Sequence, residues 1–317
     1  MAETLTIEET STARPLTSAV PLRSIVVLIN PLSGGVGDKA LEEVQAILAD
    51  YDLQATVVGL DADNFDARID EAFKAKADAL FVLAGDGTAG TIAARAGPDG
   101  PLIAPLPGGT MNMLPKALYG TADWKKALRS ALESGTEVPV AGGRVVDRID
   151  SRPFYCAAIL GAPALWAPAR EAVRVGRLRL AWLHGQRALK RAFTGRLRYT
   201  LVGEGPGRAE ALVLISPTIS RAMEAPTGLE AAAMNTRGAV DAFRLAAHAL
   251  FDDWRRDSSV RTRPTRYVTV SARSRIPAVI DGEPTLLDAE AEVVFDAVAF
   301  RALAPAADAE PSGEEGV

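Results

Sequence analysis

The stretch Leu80-Phe81-Val82-Leu83-Ala84-Gly85-Asp86-Gly87-Thr88 constrains this chain more than any other. A short apolar run ends in a glycine-flanked aspartate and passes into an alanine-rich, helix-prone segment. That pattern predicts a buried parallel strand opening onto a helix N-terminus, with the carboxylate at the strand's carboxyl end. Glycine on both sides lets the backbone turn sharply and lets a phosphate approach the amides. The surroundings repeat the theme. Apolar runs at Ser24–Ile29, 54–60, 79–84 and 102–106 alternate with helix-period segments (Leu41, Val44, Ile47, Leu48; then Phe65, Ile69, Ala72, Phe73), and a helix is predicted over Trp124–Ser134. Strand and helix alternating over about 120 residues indicate a parallel, doubly wound sheet with helices on both faces.

After Gly142-Gly143 the pattern changes to short runs at 144–149, 154–160, 197–202, 211–216, 266–272, 278–280 and 292–300, several alternating apolar with polar. They predict an antiparallel second domain. A helical arm over 164–193 and a helix over 240–254 interrupt it. The expected organisation is a disordered leader (1–21), an α/β domain (22–141), a β-sandwich domain (142–304) whose last strand is free to return to the first, and a tail (305–317). At 317 residues the chain is comfortable for two domains, and 48% hydrophobic content supplies a sizeable core. The start of the sequence lacks a basic segment followed by an apolar core, and no uncharged apolar run approaches the ~20 residues that span a bilayer. A cytoplasmic protein that touches a membrane surface transiently is expected. The single cysteine, Cys156, lies in an apolar run and reads as a buried structural thiol.

Three strand-end turns converge in such a sheet. The first, Asn30 to Gly35, offers amides and the Ser33 hydroxyl ahead of a helix. The second adds Asp86, a carboxylate suited to Mg2+ beside donor phosphates. The third, Pro107 to Asn112, adds Thr110 and Asn112. No Gly-Lys-Ser/Thr sequence of the P-loop type occurs in these turns. Late in the chain, Ile280-Asp281-Gly282-Glu283 reads either as an ordinary hairpin turn or as a carboxylate that activates an alcohol.

Taken together, Asn30-Pro31-x-Ser33-Gly34-Gly35, Gly85-Asp86-Gly87-Thr88, Pro107-Gly108-Gly109-Thr110-x-Asn112 and Asp281-Gly282-Glu283 resemble the diacylglycerol kinase catalytic-domain family, which includes soluble bacterial lipid kinases and the sphingosine and ceramide kinases. The resemblance covers about residues 22 to 303. It implies an ATP- and Mg2+-dependent kinase acting on the hydroxyl of a membrane lipid, diacylglycerol or a ceramide-like sphingoid. By motif, Asn30, Ser33, Gly34 and Gly35 contact nucleotide. Gly85, Gly87, Thr88, Gly109, Thr110 and Asn112 surround its phosphates, Asp86 holds metal, and Asp281 is the general base with Glu283 beside it. Three departures stand out: Ala89-Gly90-Thr91 where the family has an Asn-Glu pair, Met113 where it has Asp, and Gly161-Ala162-Pro163 where it has Gly-Phe-Asp.

From 165 to 208 ten Lys or Arg face two Glu, a local balance of +8 in a chain of net −5, with Trp166, Trp182 and several leucines interleaved. This basic arm has the character of an interfacial segment on anionic lipid. The alternative is a solvated basic helix packed on the sandwich. No nucleic-acid module accompanies it, so no nucleic acid is expected. Homodimerisation is left open. Two other functions share the pattern: an NAD kinase, which has the Gly-Asp-Gly-Thr loop, and a non-catalytic lipid- or nucleotide-sensing protein of the same fold.

Overall fold

Strand β1 (Ser24–Ile29) is apolar from Ile25 onward because both its faces are covered there. A computed structural model of the protein describes residues 16–161, 197–220, 227–234 and 260–306. β1 pairs in parallel with β2 (Gln54–Gly59) on one side and β3 (Ala79–Ala84) on the other, and β3 pairs with β4 (Leu102–Pro107). Ile25, Val27, Phe81 and Leu83 point to a core shared with α1 (Ala40–Leu48) and α5 (Trp124–Ser134). Val26, Leu28, Leu80 and Val82 point the other way, to α2 (Phe65–Lys74) and α3 (Asp86–Ala96). The order β2-β1-β3-β4 reverses between β1 and β3. The turns leaving β1, β3 and β4 therefore share the crevice where ligands bind in open α/β sheets.

The parallel sheet does not stop at its own domain. β16 (Glu290–Pro305) joins β4 at Ala302 opposite Ile103 and runs antiparallel to β5 (Gly135–Asp147) along nearly its whole length, with a register shift between Asp296 and Phe300. β6 (Ser151–Phe154) pairs with β5, and β13 (Tyr267–Ser271), β8 (Leu197–Leu201) and β9 (Gly207–Ala209) extend the sheet from β16 to ten strands. A six-stranded antiparallel sheet follows the order β12 (Val260–Thr265), β11 (Leu229–Met234), β10 (Ala211–Ile215), β7 (Ala157–Gly161), β14 (Ile276–Ile280) and β15 (Glu283–Leu287). Val145, Val268 and Val293 of the large sheet meet Leu160, Leu212 and Ala278 of the small one, which makes the second half a sandwich.

Several sequence expectations change. Gly142-Gly143 is the middle of β5 rather than a break between domains. A Cβ at Gly142 would lie 2.6 Å from the Phe154 carbonyl oxygen, and one at Gly143 2.4 Å from the Phe154 ring, so these glycines admit a fully buried aromatic against the strand. The run 154–160 is not one strand. It bends at Tyr155-Cys156 between β6 and β7. Residues 16–21, assigned to the leader, are anchored: the Ser18 hydroxyl and the Ala19 N–H both donate to the Gly135 carbonyl, at 2.8 and 2.9 Å. β11 escaped notice because Leu-Glu-Ala-Ala-Ala-Met has helix-prone composition and becomes a strand only by pairing with β10 and β12. The predicted arm over 164–193 and the helix over 240–254 lie outside the described residues, as do His184 and His248. Among the described residues no helix is long and apolar enough to cross a membrane.

Candidate active site

The first turn is held by its own side chains. Asn30 continues the sheet through its N–H to the Leu83 carbonyl (2.9 Å), and its Oδ1 accepts the Leu32 N–H (3.1 Å). Its Nδ2 donates to Thr88 Oγ1 (3.0 Å), and Ser33 Oγ accepts the Gly85 N–H (3.0 Å). Gly35 N–H reaches the Gly108 carbonyl at 2.9 Å, tying this turn to the third. There Asn112 folds back on Gly109, accepting its N–H at 2.6 Å and donating to its carbonyl at 2.9 Å. Asn112 adopts left-handed backbone angles (φ 51°), which asparagine tolerates better than most residues. Thr110 Oγ1 lies beside Gly34.

Asn30 and Asn112, read from the sequence as nucleotide contacts, each engage their side-chain amides within the loops. Ser33 and Thr88 differ. Each hydroxyl oxygen accepts one hydrogen bond, which leaves its own O–H free to donate to an anion. Replacing Asn112 with Ala removes both bonds to Gly109 and leaves a Cβ residue in the left-handed region. We expect a loss of about 1–2 kcal/mol of stability by denaturant titration.

Gly85 precedes helix α3 as its N-cap and offers no capping side chain, so the N–H groups of the helix's first turn are open. Asp86 stands on that turn. Its carboxyl faces the backbone N–H groups of Asn112, Met113 and Leu114 and, farther off, Lys116. Burial nevertheless dominates and raises its pKa above the usual carboxylate range, against the lowering pull of those amides and the lysine. Its Oδ1 is buried with no hydrogen-bond partner.

Opposite α3 stands the β14–β15 hairpin, where Ile280 pairs with Glu283 across a two-residue Asp281-Gly282 turn. Both turn residues have positive φ (45° and 91°), the requirement of a type I′ turn, so the ordinary hairpin reading of Asp-Gly is correct as local structure. The Asp281 carboxylate reaches back to the bend between β6 and β7. Oδ2 accepts the Tyr155 N–H at 2.6 Å, and Oδ1 accepts the N–H groups of Cys156 and Ala157, each at 2.9 Å. Burial raises the Asp281 pKa most, the three amides lower it, and the charge on Asp86 adds to the rise. Glu283 is exposed, and its Oε1 is 3.7 Å from the point a Cβ on Gly87 would occupy. It therefore overhangs the first turn of α3.

Sequence reasoning missed the amides of residues 155–157 and those at the start of α4 (Met113–Tyr119). No side-chain motif announces either. Cys156 is buried as expected, and burial together with Asp281 and Asp86 raises its thiol pKa, which disfavours a thiolate. For a divalent metal, the partnerless Oδ1 of Asp86 is a fitting donor. Mg2+ is commonly held by one or two carboxylates, with substrate phosphates and water completing the shell. The described residues contain no group of three or more His, Cys, Asp or Glu placed to bind metal by themselves.

Residues 24–144 match the family model described as the diacylglycerol kinase catalytic domain. The fold extends the likeness. A diacylglycerol kinase structure from Bacillus anthracis str. Sterne superposes with a TM-score of 0.65 at 14% identity, covering 90% of this chain and 98% of that one. A second protein from the same strain, described as a candidate diacylglycerol kinase, gives 0.67 at 17% identity over 90% and 99%. No curated protein matches the chain.

Proposed function

We propose that this protein is an ATP-dependent kinase that transfers the γ-phosphoryl group to a hydroxyl of a membrane lipid, diacylglycerol or a ceramide-like sphingoid. The observation that carries the reading is the facing pair: the uncapped α3 N-terminus with Asp86 on one side, and the carboxylate hairpin of Asp281 and Glu283 on the other. The amides of α3's first turn and the hydroxyls of Ser33 and Thr88 bind the nucleotide phosphates. Asp86 Oδ1 holds Mg2+, which when bound neutralises charge developing on the transferred group. The bond between the γ-phosphorus and the bridging oxygen to ADP breaks as the lipid oxygen bonds to phosphorus. The hydroxyl proton passes to the carboxylate hairpin.

For the membrane, the support is compositional, from the +8 balance over 165–208. Within the described part of that arm, Arg198 and Arg208 are exposed partners across β8 and β9, and Val202 at the hairpin end is 64% exposed. Transient docking on the inner face of a membrane is part of the proposal. Radiolabelled ATP offered with diacylglycerol, ceramide and sphingosine in anionic vesicles, and separately with NAD, tests it. Labelled lipid, rising with the anionic fraction, is expected. Labelled NADP would replace the reading with an NAD kinase. Nucleotide binding without transfer would replace it with a sensor, the outcome that Met113 favours.

A further inference from the structure

We infer that the free edge of β2 is the surface through which this protein pairs with a second copy of itself, the two β2 strands running antiparallel across a two-fold axis at Val57. Among the described residues, β2, β6, β9, β12 and β15 stand at the edges of the two sheets. Open edges recruit other chains, and proteins blunt them with proline, charge or brevity. β6, β12 and β15 carry Pro153, Pro264 and Pro284, and β9 is 3 residues long with Arg208 at its centre. β2 has none of these guards. It reads Gln54-Ala55-Thr56-Val57-Val58-Gly59, without charge or proline, and pairs residue for residue with β1 along its whole length, without a bulge. Gln54, Ala55, Thr56 and Gly59 are exposed.

The ladder to β1 shows which backbone groups are free. Gln54 N–H donates to the Arg23 carbonyl at 2.8 Å, and Leu60 N–H to the Ile29 carbonyl at 2.7 Å. Alternate residues of a strand turn both backbone groups to the same neighbour, so Thr56 and Val58 also face β1, while Ala55, Val57 and Gly59 face outward. The outward groups make no hydrogen bond with any described residue. An antiparallel copy centred on Val57 sets Val57 opposite itself and Ala55 opposite Gly59. Every outward N–H then meets an outward carbonyl, and the two-fold closes the pair.

The side chains suit the same register. Val57 lies on the α1 side of the sheet and Val58 on the α2 side. Pairing puts Val57 against its symmetry mate and Thr56 against Val58, contacts between β-branched residues that stabilise neighbouring strands. α1 packs on β2, and its Glu43 and Asp50 turn toward Lys125 and Arg129 of α5, away from the free edge. At ~3.6 residues per turn Leu41 falls on the opposite flank, above that edge, where it is 39% exposed. Pairing brings the two α1 helices alongside each other and covers this leucine. One term opposes: the exposed Asp52 comes beside the partner subunit's Asp61 and Asp63, so the dimer tightens as salt screens them. The crevices at the strand carboxyl ends open at opposite ends of the joined sheet, so neither copy completes the other's site.

The test uses the full chain. Sedimentation velocity over a range of protein concentrations should show a reversible dimer that strengthens with salt. Hydrogen exchange followed amide by amide should protect Thr56 and Val58 at every concentration, and Ala55, Val57 and Gly59 only as the dimer forms. Ala55→Pro removes an outward donor and no bond to β1, so it should weaken the dimer about 10–100-fold with the melting temperature of the monomer kept. Leu41→Lys, which leaves β2 intact, should weaken it about tenfold by setting like charges at the seam. A chain that is monomeric at every concentration overturns the proposal, and so does a dimer whose affinity neither variant changes. Protection of Ala55, Val57 and Gly59 that is independent of concentration also overturns it, because the edge is then covered by a segment of the same chain. All three results leave the kinase reading standing, since the labelled-lipid assay tests that separately.

Discussion

Asp86→Asn is expected to lose phosphoryl transfer by about 10³-fold or more while unfolding at a slightly higher temperature than the unaltered protein. The two effects share a cause. The carboxylate is partly buried, its Oδ1 lacks a partner, and desolvation outweighs the amides of residues 112–114 that favour its charge. In the proposed reaction, a bound cation would answer that partnerless oxygen. Without substrate, the oxygen carries a destabilising charge. Asparagine keeps an oxygen for the amides of α4 and removes the charge, so a gain of about 1 kcal/mol, or ~2 °C, is expected. The pH dependence has a definite sign. A folded-state pKa above the unfolded value means the native state binds the proton more tightly. Stability then falls as pH rises from the ordinary carboxylate value through the raised one, and the penalty is complete above it. Asp281 has the same direction of shift and adds to the slope. Thermal melts between about pH 3.5 and 7 should show the decline in the unaltered protein and a shallower one in Asp86→Asn. An equal slope in both, or a lower melting temperature for the variant at pH 7, contradicts the argument.

Gly108→Ala is expected to be the most damaging single methyl added to the loops. The new Cβ would stand 2.7 Å from Val36 Cγ2 and 2.8 Å from the backbone nitrogen of Ala84. The valine can rotate, but the end of β3 cannot. Gly108 also donates its N–H to the Ala84 carbonyl at 3.0 Å and accepts from Gly35 at 2.9 Å, so separating the chains breaks the joint between all three turns. Overpacking of this kind costs about 1–3 kcal/mol, and the backbone contact places it at the upper end. Nucleotide affinity should fall with it, because the amides of α3 and the Ser33 hydroxyl are positioned by the same joint. Gly37→Ala is the control: nothing lies within 4 Å of its Cβ position and its φ is not positive, so its effect should stay within about 0.5 kcal/mol. Denaturant titration and fluorescent-nucleotide binding on the two variants separate a steric joint from a general intolerance of loop substitutions.

Much of the α/β half was legible because its signals are local. A strand covered on both faces must be apolar along its covered length, as β1 from Ile25 and β3 are. A turn that approaches another backbone must be glycine, as Gly108 and Gly109 are; a Cβ on Gly109 would lie 2.7 Å from Gly85 Cα. The second half was less legible. β11 has the composition of a helix, and β5 runs through a glycine pair that looks like a boundary until Phe154 is seen packed against it. The partners of the polar loop residues were not legible either. Asn30 and Asn112 have the right chemistry for ligands, but the distance to another loop decides whether an amide is free, and sequence spacing does not report that distance.

The sequence by itself determined the alternation of strand and helix, the three glycine turns at the strand ends, the Asp-Gly hairpin and the presence of Asp86, Asp281 and Glu283. These follow from side-chain period and backbone freedom within a few residues. Only the tertiary structure decided what the carboxylates do. Asp281 meets its three donors across 124 to 126 residues of chain, through a turn angle and a strand pairing that no local pattern encodes. Asp86 acquires its raised pKa from burial beside α4. Glu283 acquires its place over Gly87 from the way the hairpin is clasped to the β6–β7 bend. Chemistry that depends on desolvation and on long-range hydrogen bonds exists only once the two sheets have come together.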